Sequence, residues 1–441
     1  MDKPIIPANR EVNERATEQS QRPSRQPESK PRLLFLCQTL PYPPDGGVVI
    51  RTYNVLRLLA REFDVTMLCF FRAGERVSRD AVRQGVDGLQ HLATVEAFPI
   101  PQEHSRLRFV LDHLRSVVTG RTYTVRAYES AAFRKRVREW IGAHKFDLVH
   151  MDSLDLSGYL PMLRELPVVC VHHNVESALL RRRAAATRGL AGAYIAFQAR
   201  LTEAEERRWC PVVQLNVTVS EDDRVALKRI VPTARFIVVP NGVDTKAFQP
   251  GETIEEGIVF VGGHSWQPNR DAMEYFCAEI LPLLRVRGFD VPVVWAGRAT
   301  NAAKSEFAER YGIHLTGYLD DIRPIVQRAA CYVAPLRVGG GTRLKILDAW
   351  AMGKAVVSTR VGCEGLATED GKNILIRDTP ELFADAVAAI LANGELRRRL
   401  GGQARQTVEK LYDWEVIGTD MIRRYHSLME GKLARRRAVQ I

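Results

Sequence analysis

The sequence predicts an α/β protein built from two Rossmann-like, doubly wound parallel sheets. Short apolar runs such as RLLFLCQ (32–38) and GIVFVGG (257–263) have the length and character of parallel strands buried on both faces. Amphipathic helical segments separate these runs, and strand and helix alternate before and after a turn-rich segment. A chain of 441 residues also exceeds what one core normally fills, so we expect two domains.

The alternation of strands and helices sets the expected domain boundaries. The first residues are polar and rich in proline, and they cannot bury enough apolar surface to become ordered. The later turn-rich segment carries Pro240, an Asn241–Gly242 turn and Pro250, which indicates a linker. The predicted parts are a disordered tail (1–30), an N-terminal Rossmann-like domain (31–235), a linker (236–256), a C-terminal Rossmann-like domain (257–415), a terminal helix packing on the N-terminal domain (416–430) and a basic tail (431–441).

Charge and cysteine content narrow the choice of partner and compartment. The net charge of +11 indicates an anionic partner, and nucleic acid, an acidic membrane and a phosphorylated substrate all qualify. The seven cysteines are scattered, so we expect buried, reduced thiols rather than a disulfide framework or zinc site. The charged N-terminus does not resemble a signal peptide, and no apolar run approaches the roughly 18 residues needed to span a bilayer. We therefore expect a cytoplasmic protein.

The stretch GGGTRLKILD (339–348) is the strongest candidate binding site. Gly339–Gly341 form a predicted strand-to-helix turn, where the absence of side chains lets an anion approach the backbone. Arg343 and Lys345 put cations at a helix N-terminus, which disfavours the helix unless an anion compensates. A phosphate group fits this arrangement. A flexible loop with two solvated basic residues is the alternative.

Asp348 lies one turn inside the same predicted helix. Its carboxylate can accept two hydroxyls, as from a ribose, or it can be an ordinary solvated side chain. The stretch lacks the spacing of a Walker P-loop and of a dinucleotide G-x-G-x-x-G motif, and FLCQTLPYPPDGG near the N-terminus lacks that fingerprint too. A dehydrogenase is therefore disfavoured. Nucleic-acid binding is disfavoured as well, because stacking motifs and a recognition-helix pattern are missing.

Six segments resemble family 4 glycosyltransferases, which are retaining nucleotide-sugar transferases of the GT-B fold. In chain order they are PYPPDGGVVIRTYNVLRLLA, HHNVES, VVPNGVD, FVGG, HLTGYLDDI and GGGTRLKILDAWAMGKAVVST. A WxPN motif follows the first strand of the second domain, and it resembles the motif that bacterial exopolysaccharide-type enzymes carry at this place. The resemblance covers about Arg32 to Met429. It implies two Rossmann-like domains facing a central cleft, with the acceptor domain first and the donor domain second.

The resemblance implies a diphosphate-binding region in the C-terminal domain. Arg343 and Lys345 match a basic pair that neutralises the departing diphosphate as the sugar–phosphate bond breaks. The segment HSWQPN stands where the family usually has an Arg and a Lys, so the pair takes over their role. Gly263, Gly341 and Thr342 match the turns around the donor.

The nucleoside and the donor sugar have their own matching positions. Gly317 and Tyr318 match the loop whose backbone meets the base. Asp348 stands where the wider family has a ribose-binding glutamate, with a shorter side chain. Gly340 replaces a second glutamate that contacts the sugar hydroxyls, and this leaves donor-sugar recognition open.

In the N-terminal domain, Gly46 and Gly47 match a glycine turn that faces the diphosphate. His173 in HHNVES matches a family histidine near the reacting sugar. Without the resemblance, an ordinary turn, a structural histidine at a strand end and helix capping by Glu176 are the simpler interpretations.

The implied reaction is front-face transfer with retention, without a covalent enzyme intermediate. The leaving phosphate oxygen takes the acceptor proton, and the enzyme supplies positioning and charge stabilisation. The implied partners are a nucleotide-sugar donor and a glycan or polyprenyl-diphosphate-linked acceptor. We expect no cofactor and no metal, since no Asp-x-Asp cluster is present. A GT-B sugar-nucleotide epimerase and an inactive nucleotide-sugar-binding protein are the alternatives.

Residues 104–145 are strongly basic. The segment SRLRFVLDHLRSVVTG within them places apolar residues on one helical face and arginines on the other. We favour an ordinary amphipathic helix whose apolar face packs on its own domain. A face that meets anionic lipid, aided by the basic C-terminal end, is the alternative.

Overall fold

The computed structural model of the chain describes residues 30–72, 78–251, 255–339 and 344–439. The chain divides into two compact units. The N-terminal unit contains the described residues up to Thr218, then Asp223–Val238 and the residues from Gly418 onward. The C-terminal unit contains Val219–Asp222 and Val239–Ile417. Both units are Rossmann-like, as predicted.

The N-terminal unit is built on a seven-stranded sheet in which every pairing is parallel. Its strand order is β3-β2-β1-β4-β5-β6-β7, so the chain reverses direction across the sheet after β3. The strands are β1 (Arg32–Cys37), β2 (Asp64–Phe71), β3 (Thr94–Pro99), β4 (Leu148–Met151), β5 (Val168–His172), β6 (Leu215–Thr218) and β7 (Phe236–Val238). The central strands are buried along their length, which explains their unbroken apolar sequences.

Helices follow most strands of this sheet. They are α1 (Gly47–Glu62), α2 (Arg79–Asp87), α3 (Arg106–Thr119), α4 (Tyr123–Ala127), α5 (Ala131–Ala143), α6 (Glu176–Ala186), α7 (Gly189–Trp209) and α8 (Glu221–Ile230). Short 3₁₀ turns at Pro101–His104 and Leu154–Met162 complete the connections. Ser78, Ser105 and Ser130 cap the N-termini of α2, α3 and α5 through their side chains.

The C-terminal unit is built on a six-stranded parallel sheet of order β10-β9-β8-β11-β12-β13. Its strands are β8 (Ile258–Val261), β9 (Val293–Ala296), β10 (His314–Leu315), β11 (Cys331–Ala334), β12 (Val356–Ser358) and β13 (Leu375–Ile376). Its helices are α9 (Gln267–Tyr275), α10 (Leu281–Val286), α11 (Asn301–Tyr311), α12 (Arg323–Arg328), α13 (Leu344–Ala351), α14 (Pro380–Ala392) and α15 (Gly394–Leu411). A π-helical turn, Phe276–Ile280, joins α9 to α10.

The last helix, α16 (Trp414–Val439), is longer than the predicted helix at 416–430. The predicted basic tail therefore continues the helix as far as Val439. Within the N-terminal unit, Tyr425 of α16 is fully buried, and its hydroxyl lies 2.9 Å from Nδ1 of His150 on β4.

Two other elements differ from the sequence-based expectation. The expected linker at 236–256 begins with a strand, β7, which has only three residues and therefore gives a weak pattern. Helix α15 was not predicted, because its sequence, GELRRRLGGQARQTVEKL, contains three glycines and few apolar residues. The predicted disordered tail lies almost wholly outside the described residues. All seven cysteines are free and buried, as expected.

The orientation of α3 contradicts the interpretation that we favoured from the sequence. Its apolar residues are exposed, and its buried side chains are Asp112 and Ser116. No helix in the described part of the chain is long and apolar enough to cross a membrane.

Two adjacent glycines of α15 test the packing of the C-terminal unit. A Cβ atom on Gly401 would lie 1.9 Å from the carbonyl oxygen of Gly353, whereas a Cβ on Gly402 would meet nothing within 4 Å. We expect Gly401→Ala to lower the free energy of unfolding by about 1–3 kcal/mol. Gly402→Ala should raise it by about 0.5–1 kcal/mol, because alanine favours the helix. Urea unfolding of both variants measures this, and equal effects would contradict the packing described.

Candidate functional site

The turn after β8 is organised by Asn269, the last residue of the WQPN motif. The Asn269 side chain is buried and donates from Nδ2 to the carbonyl oxygen of Gly263 at 3.0 Å. Its Oδ1 accepts a hydrogen bond from Nζ of Lys345 at 2.7 Å. A Cβ on Gly262 would lie 2.5 Å from Asn269 Nδ2, so only glycine fits against the amide. The motif therefore joins the glycine turn to the helix that carries Lys345.

Aromatic rings also hold the Lys345 ammonium. Its Nζ lies 4.4 Å from the ring centroid of Phe260 and 5.8 Å from that of Trp266. The faces of these rings attract a cation. A half-buried ammonium with an amide partner and aromatic neighbours is fixed in position beside the turn of Gly262 and Gly263.

The glycine-rich loop lies only partly within the described residues. Gly340, Gly341, Thr342 and Arg343 fall outside them, so the roles predicted for these four positions stay predictions. The described segment before the loop is anchored by Arg337. Its guanidinium pairs with Asp271 at 2.8 Å and lies over a tyrosine ring of α9.

Asp348 on α13 has an unusual environment. Burial raises the pKa of its carboxyl to about 7, although the residue keeps some solvent exposure. Among the described residues, the carboxyl has no hydrogen-bond or ion-pair partner. Its charge and, more strongly, burial raise the pKa of the neighbouring Tyr332. A carboxyl without protein donors can accept hydrogen bonds from the hydroxyls of a ligand.

The loop after β10 presents an aromatic surface. Tyr318 is 59% exposed, and the guanidinium of Arg298 lies 4.7 Å from its ring centroid. Gly317 has a φ of 86°, and a Cβ there would lie 2.6 Å from Nζ of Lys304, so glycine is required. Lys304 in turn donates to the carbonyl oxygen of Thr316. The exposed ring and guanidinium form a surface on which a nucleobase can stack.

In the N-terminal unit, the carboxyl ends of β4 and β5 bring Asp152 and His173 together. Asp152 Oδ2 lies 3.4 Å from Nε2 of His173, and Oδ1 lies 3.5 Å from Nε2 of His150. The hydroxyl of Thr52 on α1 donates to Oδ2 at 2.6 Å. Burial alone would raise the pKa of Asp152, but the charge of His173 and the histidine hydrogen bonds hold it well below its usual range.

Further cationic and polar groups surround Asp152. Arg51 of α1 is buried, and burial lowers the pKa of its guanidinium to about 10 against the opposing attraction of Asp152 and Tyr425. Asp152 was not among the site residues predicted from the sequence. The available signal was its position directly after β4, the parallel neighbour of the strand that precedes His173.

The two histidines at the end of β5 differ in environment. His172 is buried, its Nε2 lies 2.9 Å from Oδ1 of Asn216, and burial lowers its pKa to about 4. It is therefore a neutral, structural side chain. Both histidines line a pocket that also includes Asp155, Glu176 and Glu206.

The carboxyls of this pocket are shielded from solvent. Burial raises the pKa of Asp155 and of Glu176, and it raises that of Glu206 to about 7. Glu206 accepts hydrogen bonds from the amide and the hydroxyl of Ser177, whereas Glu176 accepts one from Asn174 Nδ2. The pocket beside His173 is thus rich in groups that hydrogen-bond hydroxyls.

The two glycines predicted to face a diphosphate lie at the start of α1. Gly46 is the N-cap and Gly47 the first helical residue, and the first turn has no acidic side chain. Gly46 has an ordinary extended backbone, and a Cβ there would be 4.0 Å from Val49 Cγ2. Packing therefore does not demand glycine at 46. The helix start offers backbone N–H groups suited to an anion.

Comparisons with known families match both units. Residues 45–247 match Glycosyltransferase Family 4, and residues 255–393 match Glycosyl transferases group 1. The two matches together cover more than half of the chain.

Curated relatives align over parts of their length. The chain is 31% identical over 130 residues to the D-inositol 3-phosphate glycosyltransferase of Corynebacterium urealyticum, covering 28% of this chain and 30% of the relative. It is 33% identical over 112 residues to the lipopolysaccharide core biosynthesis glycosyltransferase LpsE of Rhizobium meliloti, covering 24% and 31%. A 44.6 kDa protein from the cps region of Klebsiella pneumoniae is 24% identical over 164 residues, covering 35% and 42%. The chain thus spans less than half the length of these relatives.

Solved structures share the whole fold at low identity. Sucrose-phosphate synthase from Thermosynechococcus elongatus superposes with a TM-score of 0.64 at 15% identity, covering 91% of this chain and all of that one. Anabaena HepE in complex with UDP superposes with a TM-score of 0.62 at 14% identity, covering 90% of this chain and 100% of that one.

The perturbed carboxyl of Asp348 makes stability depend on pH. The pKa of the Asp348 carboxyl is about 7 in the folded protein, whereas its ordinary value, expected in the unfolded chain, is 3.8. The folded protein therefore retains this proton up to a higher pH than the unfolded chain. Its contribution to the free energy of unfolding should fall as pH rises between these values, by at most about 1.4 kcal/mol per pH unit. Asp348→Asn should remove that dependence.

Urea unfolding of both proteins from pH 4.5 to pH 8 measures the difference. The free energy of unfolding of Asp348→Asn, relative to that of the wild type, should increase as pH rises and become constant above pH 7. The similar contribution of Glu206 is present in both proteins and cancels. A difference that does not change with pH would contradict the described environment of Asp348.

Proposed function

This chain belongs to the family 4 glycosyltransferases of the GT-B fold, and we propose that it transfers a sugar from a nucleotide-diphosphate sugar to an acceptor. The acceptor is a glycan or a polyprenyl-diphosphate-linked sugar, and the anomeric configuration is retained. The reaction serves exopolysaccharide or other cell-surface glycan synthesis on the cytoplasmic side of the membrane. Relatives named for lipopolysaccharide core synthesis and a cps region support this setting.

The fixed ammonium of Lys345 carries the proposal for the donor. It lies in the first turn of α13, where a cation opposes the helix dipole. Asn269 and two aromatic rings nevertheless hold it beside a glycine turn. A diphosphate bound at this place turns the unfavourable cation into a favourable one. Structures of HepE with UDP and with UDP-glucose support a nucleotide-sugar donor.

The base, the ribose and the diphosphate of the donor each bind to groups of the C-terminal unit. The base stacks on the exposed surface of Tyr318 and Arg298 and meets the backbone of Gly317. The ribose hydroxyls donate to the carboxylate of Asp348. Gly263 lets the diphosphate approach the backbone, and Gly341, Thr342 and Arg343 complete its binding.

The N-terminal unit supplies groups for the reacting sugar. Asp152 is ionised and its Oδ2 lies 3.4 Å from Nε2 of His173, so it orients the imidazole. His173 hydrogen-bonds a hydroxyl of the reacting sugar, and the N–H groups at Gly46 and Gly47 stabilise the phosphate charge. The departing phosphate oxygen takes the proton of the acceptor hydroxyl as the new glycosidic bond forms.

Calorimetric titration with UDP, GDP and dTDP tests the donor site. We expect one of the three to bind, and Lys345→Met to weaken its affinity by about 10- to 100-fold, the usual value of a charge-assisted hydrogen bond. Lys372→Met is the matched control, because Lys372 is exposed and pairs with Glu369. An unchanged dissociation constant in the folded Lys345 variant would contradict the proposed role.

The anomeric outcome is tested with the nucleotide sugar that the titration selects. Transfer to an acceptor should give a glycoside with the same anomeric configuration as the donor, measured from the one-bond C–H coupling by NMR. Inversion would refute retention. A sugar nucleotide with an altered sugar, formed without acceptor, would instead indicate an epimerase, and binding without turnover would indicate an inactive binding protein.

A further inference from the structure

Helix α3 (Arg106–Thr119) exposes a row of apolar side chains and buries polar ones, which is the reverse of an ordinary surface helix. Six large apolar side chains form one exposed stripe, which we call the α3 face. Its members and their exposed fractions are Leu107 (69%), Val110 (52%), Leu111 (37%), Leu114 (58%), Val117 (51%) and Val118 (84%). Soluble proteins normally turn such a stripe toward the core. A contiguous exposed apolar face marks a binding surface.

Polar contacts fix this rotation of the helix. On the buried side, Nη2 of Arg108 donates to the carbonyl oxygen of Glu129, which follows α4, at 2.8 Å. Ser116 is fully buried and accepts a hydrogen bond from Nε2 of Gln198 at 2.9 Å. A rotation that buried the apolar stripe would break these bonds. The exposure of the α3 face is therefore built into the packing of the unit.

A second polar contact joins α3 to α7, which carries an exposed apolar residue of its own. Nδ1 of His113 lies 2.5 Å from the hydroxyl of Tyr194 on α7. Leu190 lies one helical turn before Tyr194 and is 91% exposed.

Basic residues border the α3 face. At 100° per residue, Arg106 and Arg115 fall on opposite borders of the apolar stripe, and both are exposed. Positions 103–145 contain ten Lys or Arg and four acidic residues. Each of the four acids is already in an ion pair with an arginine or lysine; they are Glu103, Asp112, Glu129 and Glu139. The border of the apolar stripe is thus positively charged.

We propose that the α3 face docks the N-terminal unit on an anionic lipid surface. An apolar stripe between arginines fits the boundary between acyl chains and anionic head groups. The apolar side chains enter the bilayer while Arg106 and Arg115 contact the phosphates. A second protein with a purely apolar surface would offer Arg106 no anionic group, and it would leave Arg115 only the Asp112 carboxylate that it reaches at 4.0 Å. The inference does not depend on the proposed transfer reaction, and its test uses no substrate.

Co-sedimentation of the full chain with vesicles tests the docking. The vesicles are pure phosphatidylcholine, or phosphatidylcholine with 30% phosphatidylglycerol. We expect binding to the anionic vesicles only, with at least a tenfold weaker affinity after L114D/V118D and a clear loss after R106Q/R115Q. Val286→Asp, on the C-terminal unit, is the matched control, because Val286 is 85% exposed. It should bind like the wild type.

A single-cysteine label shows which surface enters the lipid. All seven native cysteines are buried, so Val118→Cys and Val286→Cys each add one accessible thiol at equally exposed sites. An environment-sensitive fluorophore should shift to the blue on anionic vesicles at position 118 and stay unchanged at 286.

Three results would overturn the proposal. The first is that the folded wild type does not sediment with anionic vesicles. The second is that the wild type and L114D/V118D sediment equally while their thermal unfolding midpoints are the same. The third is a concentration-dependent dimer that L114D/V118D abolishes while vesicles are ignored, because the α3 face would then join two copies of this chain.

Discussion

A single side-chain amide organises the candidate site of the C-terminal unit. Asn269 donates to the backbone of the β8 turn and accepts from Lys345, which lies 76 residues further along the chain, so it joins the turn to α13. The Asn269 amide fills the space beside residue 262, so only glycine fits there. The aromatic residues around Lys345 complete the arrangement. If the ammonium were not held there, the proposed diphosphate site would lose its fixed cation.

The N-terminal unit solves a different electrostatic problem. It keeps an ionised carboxylate, Asp152, in its interior by surrounding it with histidines, a hydroxyl and a buried guanidinium. A buried charge is stable only with such partners. Tyr425 of the terminal helix contacts His150 of this group, so the end of the chain takes part in holding it. The arrangement supports an oriented His173 at the end of β5.

The two sheets, their parallel pairing and the position of Lys345 could be predicted, because buried parallel strands and glycine turns leave local patterns. Asp152 was not predicted, because its partners come from α1, β4, α16 and the residue after β5, and its position directly after β4 is the one local signal that points to it. Asn269 was visible only as part of a motif, without its partner. The amphipathic pattern of α3 correctly grouped the apolar residues, but periodicity does not say which face is covered, and here Asp112 and Ser116 occupy the inner one.

A double-mutant cycle on nucleoside diphosphate affinity tests the central claim most directly. Asn269→Ala, Lys345→Met and the double variant are titrated with the diphosphate that the wild type binds, after their folding is verified by circular dichroism. If Asn269 acts by positioning Lys345, each single change weakens binding and the double variant is no weaker than Lys345→Met alone. Fully additive losses, or an Asn269 variant that binds like the wild type, would contradict the account.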